Sequence, residues 1–250
     1  GGGFAVNFTN FDRKLERFWR LEDHQNLYSA MKAPSANELK VLDDLQSSVR
    51  KVGDHYQVGV PWKHPGRAVP NNQSQAEARL WGAVSRFKRK PEYFEEYASA
   101  INGYVEKGFA ERVPTEELQS SNPRTFYLTH HCVSHPRKKS IRVVFNAAAR
   151  YKDISLNSLI HECPDMLESI VGILMRFRQG HVAIAADIEA FFHAVRMRPE
   201  DRDLHRYVWF SDESMTRLDI FRMLSHVFGG IASQACSIVA RDRALLDAVV

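Results

Sequence analysis

Apolar positions along this chain fall first at helical spacing and later at a period of two, so the pattern predicts helices early and strands in the second half. Asp12–Asp23 places Leu15, Phe18, Trp19 and Glu22 at helical spacing, one apolar stripe on a charged helix. Ser35-Ala36-Asn37-Glu38 is a capping-box pattern, and Leu39, Leu42, Leu45 and Val49 follow it as the predicted buried face of a second helix. Gly53 ends that segment, after which Tyr56, Val58 and Val60 alternate with His55, Gln57 and Gly59 as a short strand. Ala76–Arg89 reads as a third helix with Leu80, Ala83, Val84 and Phe87 inward and a basic end at Arg86, Lys88, Arg89 and Lys90. Those cations either complement the negative end of the helix or face phosphate. Glu92–Lys107 reads as a fourth, with Phe94, Tyr97, Ile101 and Val105 on one face and Gly108 as its stop.

From Phe109 the period becomes two. Phe126–Val133 and Ile141–Phe145 are β-rich runs around His135-Pro136-Arg137-Lys138-Lys139-Ser140, a hairpin with a basic tip. Met166–Gln179 returns to a helix that buries Met166, Leu167, Ile170, Val171, Leu174 and Phe177, with Gly180 as its cap. Val182–Ala186 is five apolar residues after that glycine, which predicts a strand buried on both faces and ending at Asp187. An ionised carboxylate there needs a partner, so Asp187 is either a paired core residue or a metal ligand. Beyond it the pattern predicts a charged helical turn over Glu200–Arg206, strands at Tyr207–Phe210 and Leu218–Met223, and a helix from Ser233.

Composition adds few constraints. The 250 residues are 44% hydrophobic and 11% aromatic, enough for a sizeable core, and the net charge of +4 permits a polyanionic partner without requiring one. There is neither an apolar run of membrane-spanning length nor a signal-peptide pattern, so the expectation is a soluble, intracellular, cytoplasmic chain with no membrane partner. Cys132, Cys163 and Cys236 are odd in number and widely spaced, which argues against a disulfide framework. On a strand only His130 with Cys132, or His131 with Val133, share a face, which argues against a zinc site built on that run. The start at Gly1-Gly2-Gly3 reads as a piece of a longer polypeptide.

Phe126–Val133 (FYLTHHCV), Ile141–Ala147 (IRVVFNA), Ala186–Phe192 (ADIEAFF) and Arg198–Arg206 (RPEDRDLHR), in that order and spacing, resemble the reverse transcriptase of BEL/Pao-type LTR retrotransposons. Val227–Ser233 (VFGGIAS) continues the likeness, and Arg17–Glu22 (RFWRLE) is similar to the helix preceding the polymerase there. The resemblance implies an α/β fold of the right-hand polymerase type: a helical lead-in over 1–56, fingers over 57–180 and the first part of the palm over 181–250. It implies RNA-directed DNA polymerisation with Mg2+ or Mn2+, template-primer and deoxynucleoside triphosphates as partners, and the remainder of a polyprotein around the chain. Asp187 is implied as catalytic metal ligand, Phe192 as the ring that excludes a ribose 2′-hydroxyl, and Arg142 as the triphosphate clamp. Ile188 and Gly230 are implied to line the nucleotide, and Lys138 and Lys139 to contact nucleic acid.

The family's second metal-binding element, an aromatic-x-Asp-Asp hairpin, belongs after the helix that begins near Ser233 and is not reached. Asp43-Asp44 is the one Asp-Asp pair, and Leu39, Leu42 and Leu45 place it on the polar face of a helix. Asn146 stands where the family has Asp, and Ala235 where it usually has Pro. These departures open an alternative from another class, a non-catalytic remnant that keeps a nucleic-acid- or protein-binding surface.

Overall fold

The computed structural model describes residues 34–119, 122–134 and 141–248. The helix expected at Asp12–Asp23 and the basic hairpin tip with Lys138 and Lys139 lie outside them. The described chain is mixed α/β, and among the described residues no helix is long and apolar enough to cross a membrane. Two compact units are distinguished: Leu167–Ala185 belongs to one, while Glu38–Met166 and Ala186–Val250 together form the other.

In the larger unit, α1 (Ala36–Ser48) starts directly after Ser35, as the capping-box pattern predicts. It buries Val41, Leu45 and Ser48, at i, i+4 and i+7, and leaves Leu39 half exposed, so the inward stripe is rotated from the expected one. Asp43 and Asp44 are on its exposed side. β1 (Arg50–Val52) turns at Gly53, whose φ of +59° suits glycine, into β2 (His55–Val58). α2 (Gln73–Arg89) and α3 (Pro91–Glu106) follow with the predicted faces, except that Val105 stays exposed. Gly108, at φ +65°, stops α3.

The remaining elements of this unit are β3 (Ala110–Arg112), α4 (Thr115–Gln119), β4 (Thr129–Ser134) and β5 (Ile141–Asn146), then, beyond the smaller unit's α5 (Ile170–Phe177), β6 (Val195–Met197), α6 (Pro199–Arg202), β7 (Arg206–Phe210), β8 (Leu218–Met223) and α7 (Ser233–Ala248). Three small sheets result. β1, β2 and β6 form one, with β2 and β6 parallel; β3, β8 and β7 form an antiparallel second; β4 and β5 form a hairpin with Thr129 opposite Asn146 and Val133 opposite Arg142. The first part of the run expected as one strand, Phe126–Leu128, is buried but precedes β4, held by a bridge between Tyr127 and Arg206.

The core is aromatic where α2 and α3 meet β7. Tyr97 and Trp209 have ring centroids 4.6 Å apart, Phe87 and Phe94 5.5 Å, and Phe94 stacks on Trp209 at 6.0 Å. Such pairs add roughly 0.5–1.5 kcal/mol each beyond their buried area. Buried polar groups are paired around this core. Asn72 donates to the Tyr127 carbonyl at 2.8 Å and accepts from the Tyr127 N–H at 2.7 Å, pairing the backbone groups of Tyr127 that its bridge to Arg206 leaves open. Asp201 accepts from the Trp62 indole and from the Val60 N–H; burial raises its pKa against the effect of those bonds. Arg222 of β8 gathers Glu111, Glu117 and Asp203, and those carboxylates overcome its burial to hold it charged.

The smaller unit corrects two expectations. The helix there spans only Ile170–Phe177 and buries none of its residues, with Leu167, Ile170 and Leu174 all at least half exposed. Val182–Ala186 is not a strand: Val182 is 80% and Ile184 84% exposed. Apolar composition marks a segment fit for burial, but a strand exists only when a neighbour takes up its N–H and C=O groups.

Histidines whose pKa burial lowers make stability depend on pH; His193 is one, and three others shift further. Burial lowers the pKa of His130 and of His205 to about 4 and that of His226 to about 3, while each ring donates to a carbonyl, of Val208, Asp201 and Val58 respectively. Unfolded histidine titrates near 6.5, so between roughly 6.5 and 4 the unfolded chain binds more protons and stability falls as pH falls. Asp201, with its raised pKa, opposes this at the acid end of the window. Denaturant titrations at pH 7 and pH 5 are expected to give a clearly lower unfolding free energy at pH 5, at up to ~4 kcal/mol per pH unit for three groups. The loss should shrink when His205 or His226 is replaced by Gln.

Candidate functional site

β6 is only three residues long, yet it is bonded on both sides. It runs parallel to β2 with Tyr56 opposite Val195, and on its other edge the Met197 N–H donates to the Leu224 carbonyl at 2.8 Å and the His226 N–H to the Val195 carbonyl at 3.0 Å. Two turns therefore leave the sheet at the same end. One carries Phe191 and Phe192 into β6; the other carries Phe228, Gly229 and Gly230 away from His226.

The first turn is tight. Ala190 takes a φ of +51°, and the Ala194 N–H donates to the Ala190 carbonyl at 2.9 Å. His193 anchors it, bonded through Nδ1 to the His226 carbonyl at 2.9 Å and ringed by Phe109 and Tyr104 at 5.2 and 5.0 Å. Burial lowers its pKa, so the ring is held neutral. Phe192, half buried, meets Phe228 at 5.4 Å, and Phe228 keeps half its surface exposed. Phe191 departs from it: with Ile188, Ala194 and Val195 it lines an apolar groove of about 300 Å³ against Ala240 and Leu245 of α7. Ile188 thus lies with the groove rather than with the Phe192–Phe228 pair.

The second turn presses on β5. Gly229 has a φ of +103°, and a Cβ there would come within 2.5 Å of the Phe145 carbonyl oxygen. At Gly230 a Cβ would meet the Ser233 hydroxyl at 2.6 Å, a side chain that can rotate away. The glycine that the backbone demands is therefore Gly229; Gly230, expected to line a nucleotide, follows it in the same turn. Asn157 clips the turn, donating to the Gly229 carbonyl at 3.3 Å and accepting from the Ile231 N–H at 3.0 Å. Asn157, His193 and Phe228 escape sequence reading, since each owes its place to a contact between distant segments; only the adjacent glycine pair hints at Phe228.

The site so built is a wall of Phe192, Phe228, the Gly229 backbone and the end of β5. Asn146 stands at that end, and its Oδ1 accepts the Ala148 N–H at 3.2 Å, a turn that an Asp oxygen would make equally well. Ala235 lies in the first turn of α7, ahead of the Cys236 N–H that makes the bond to the Ala232 carbonyl. A proline at that position would forfeit no helix bond, so alanine there leaves the turn intact. Arg142 is farther off, four residues or about 13 Å down β5 from Asn146, exposed on its outward face.

Asp187 lies five residues before Phe192, exposed and outside any strand, which overturns the expectation of a buried carboxylate at a strand end. Among the described residues no three His, Cys, Asp or Glu side chains converge as a metal cage. One exposed carboxylate does not fit a resident two-ion site. His130 is fully committed, its Nδ1 to the Tyr97 hydroxyl and its Nε2 to the Val208 carbonyl, with His131 and Val133 outward on the other face.

Gly229→Ala should lower the unfolding free energy by about 1–3 kcal/mol through clash and left-handed strain, while Gly230→Ala costs less. Thermal unfolding of the two variants side by side checks this, and equal midpoints would remove Gly229 from its role. No protein-family model matches this chain, and no curated protein matches it either.

Proposed function

We propose that this chain is the fingers and first part of the palm of an RNA-directed DNA polymerase of LTR-retrotransposon type, with a right-hand polymerase fold. The single observation that carries the reading is the convergence of Phe192, the Gly229–Gly230 turn and the end of β5, three separated stretches of the sequence resemblance, on one wall. A half-exposed ring beside a backbone that no Cβ obstructs is a surface fit for a sugar and its base: the ring collides with a 2′-hydroxyl and tolerates hydrogen there.

In this reading Asp187 would offer one of the carboxylates for Mg2+ or Mn2+, ions that would activate a primer hydroxyl and offset phosphate charge only once further ligands were supplied. A lone donor holds such ions weakly, so what these residues do by themselves is bind and select a nucleotide. Arg142 and the lysines Lys138 and Lys139 offer cations to triphosphate and strand, and Gly230 adjoins the gate in the turn after Phe228, while Ile188 lies on the groove behind it. Template-primer, deoxynucleoside triphosphates and the rest of a polyprotein are the partners. A non-catalytic remnant with a binding surface is the second reading, favoured by the exposure of Asp187 away from other ligands.

Deoxynucleotide binding titrated with and without Mg2+ tests it. The expected outcome is weak, magnesium-dependent binding that Asp187→Ala abolishes, with Phe192→Ala reducing the preference for deoxy- over ribonucleotide by about tenfold, ~1.4 kcal/mol. The unmodified chain is expected not to extend a primer. Asp187→Ala altering only the melting temperature would leave the remnant reading.

A further inference from the structure

A second basic feature lies away from that wall, between α2 and the hairpin strand β4. A cavity of about 80 Å³ opens there between Arg79, Ala83 and Arg86 on the helix and Tyr93, Thr129 and His131 opposite. Arg79, Ala83, Arg86 and Lys90 fall at i, i+4, i+7 and i+11, one stripe about 16 Å long, with the small alanine leaving room between the two guanidinium groups.

Both arginines are held in place. Arg79 donates through Nη1 to the Thr129 hydroxyl at 3.1 Å, which leaves its other donors free. Arg86 lies over the Tyr93 ring at 4.4 Å, and Tyr93 is held in turn by Phe87, stacked at 6.1 Å, and by Tyr97, edge-on at 6.1 Å. Among the described residues neither guanidinium forms an ion pair, although Glu92, Glu95 and Glu96 lie on the adjoining α3 and Glu77 on α2, where it bonds Gln73. Two oriented, unneutralised guanidinium groups converging on one pocket form a site for a phosphate oxygen.

We propose that this pocket binds the phosphodiester backbone of a single-stranded nucleic acid. The single strand follows from the Arg86–Tyr93 pair: a guanidinium laid over a ring at the pocket is a platform on which an unpaired base can stack, whereas a base inside a duplex already has its faces covered. The pocket's role as a path for template rests on the polymerase reading, but it uses none of the residues around Phe192.

The test is fluorescence anisotropy of the full chain with a short labelled RNA, over a salt series. Arg79→Gln with Arg86→Gln is expected to weaken binding by tenfold or more and to reduce the slope of log K against log salt by about 1.4, two phosphate contacts at ~0.7 each. Lys40→Gln, on α1, should change neither. Arg86→Lys should keep the salt slope and lose severalfold affinity, because the charge remains and the stacking plane does not. Unchanged affinity and slope in a double variant that melts like the parent overturns the proposal, as does a parent chain that binds no RNA. Equal affinity for the same sequence as duplex, or displacement by inorganic phosphate at matched phosphate concentration, overturns the assignment to a single strand. Magnesium-dependent deoxynucleotide binding is measured separately, so loss of that activity with RNA binding intact rejects the polymerase reading and leaves this pocket standing.

Discussion

The two-sided hydrogen bonding of β6 is the constraint on which the candidate site depends. Three residues of strand are too few to persist alone, and here they are bonded to β2 on one edge and to Leu224–His226 on the other. That pairing sets where the Phe192 turn enters and where the Gly229 turn leaves. Because it is made of backbone, it tolerates many side chains; because β2 and β6 lie some 140 residues apart along the chain, it closes a long loop. Buried His193 and His226 add side-chain bonds across the same junction, and their neutral state keeps charge out of it.

Buried polar groups do the rest of the registration. The stretch from Arg198 to Arg206, which the resemblance singled out, has structural work in this chain: Asp201 holds the Val60–Trp62 loop, Asp203 joins Arg206 to Arg222, and His205 bonds the Asp201 carbonyl. Asn72 does the same for Tyr127. Apolar packing tolerates small slips, whereas each of these bonds has a fixed length and direction, and breaking one leaves a desolvated group without a partner. The motif therefore reports the fold that carries the site more directly than the chemistry of the site.

A consistent contrast separates the two ends of the wall. On the side of β5 and Gly229 the backbone is enclosed, bonded by Asn157 and intolerant of a Cβ. On the side of Asp187 the chain is exposed and outside any strand, with Ile188 half open to water.

The local pattern by itself determined the elements whose signal is carried within one turn or one strand. α2 and α3 have their expected inward faces, β7 and β8 their expected spans, α7 its start at Ser233, and Asp43-Asp44 its solvated place on α1. Helical spacing is a property of neighbours in sequence, so it survives without knowledge of the fold. The fold decided the rest. The stripe on α1 rotated to Val41 because packing partners choose among several apolar residues, β6 was invisible because three residues carry no period, and Val182–Ala186 remained exposed although its composition is that of a core strand. For the site, Phe192 and the glycine pair were legible as residues, but their meeting with Phe228, Asn157 and the Phe145 carbonyl was not. Those are contacts between segments far apart in the chain, and distance in space is the one quantity a linear pattern does not encode.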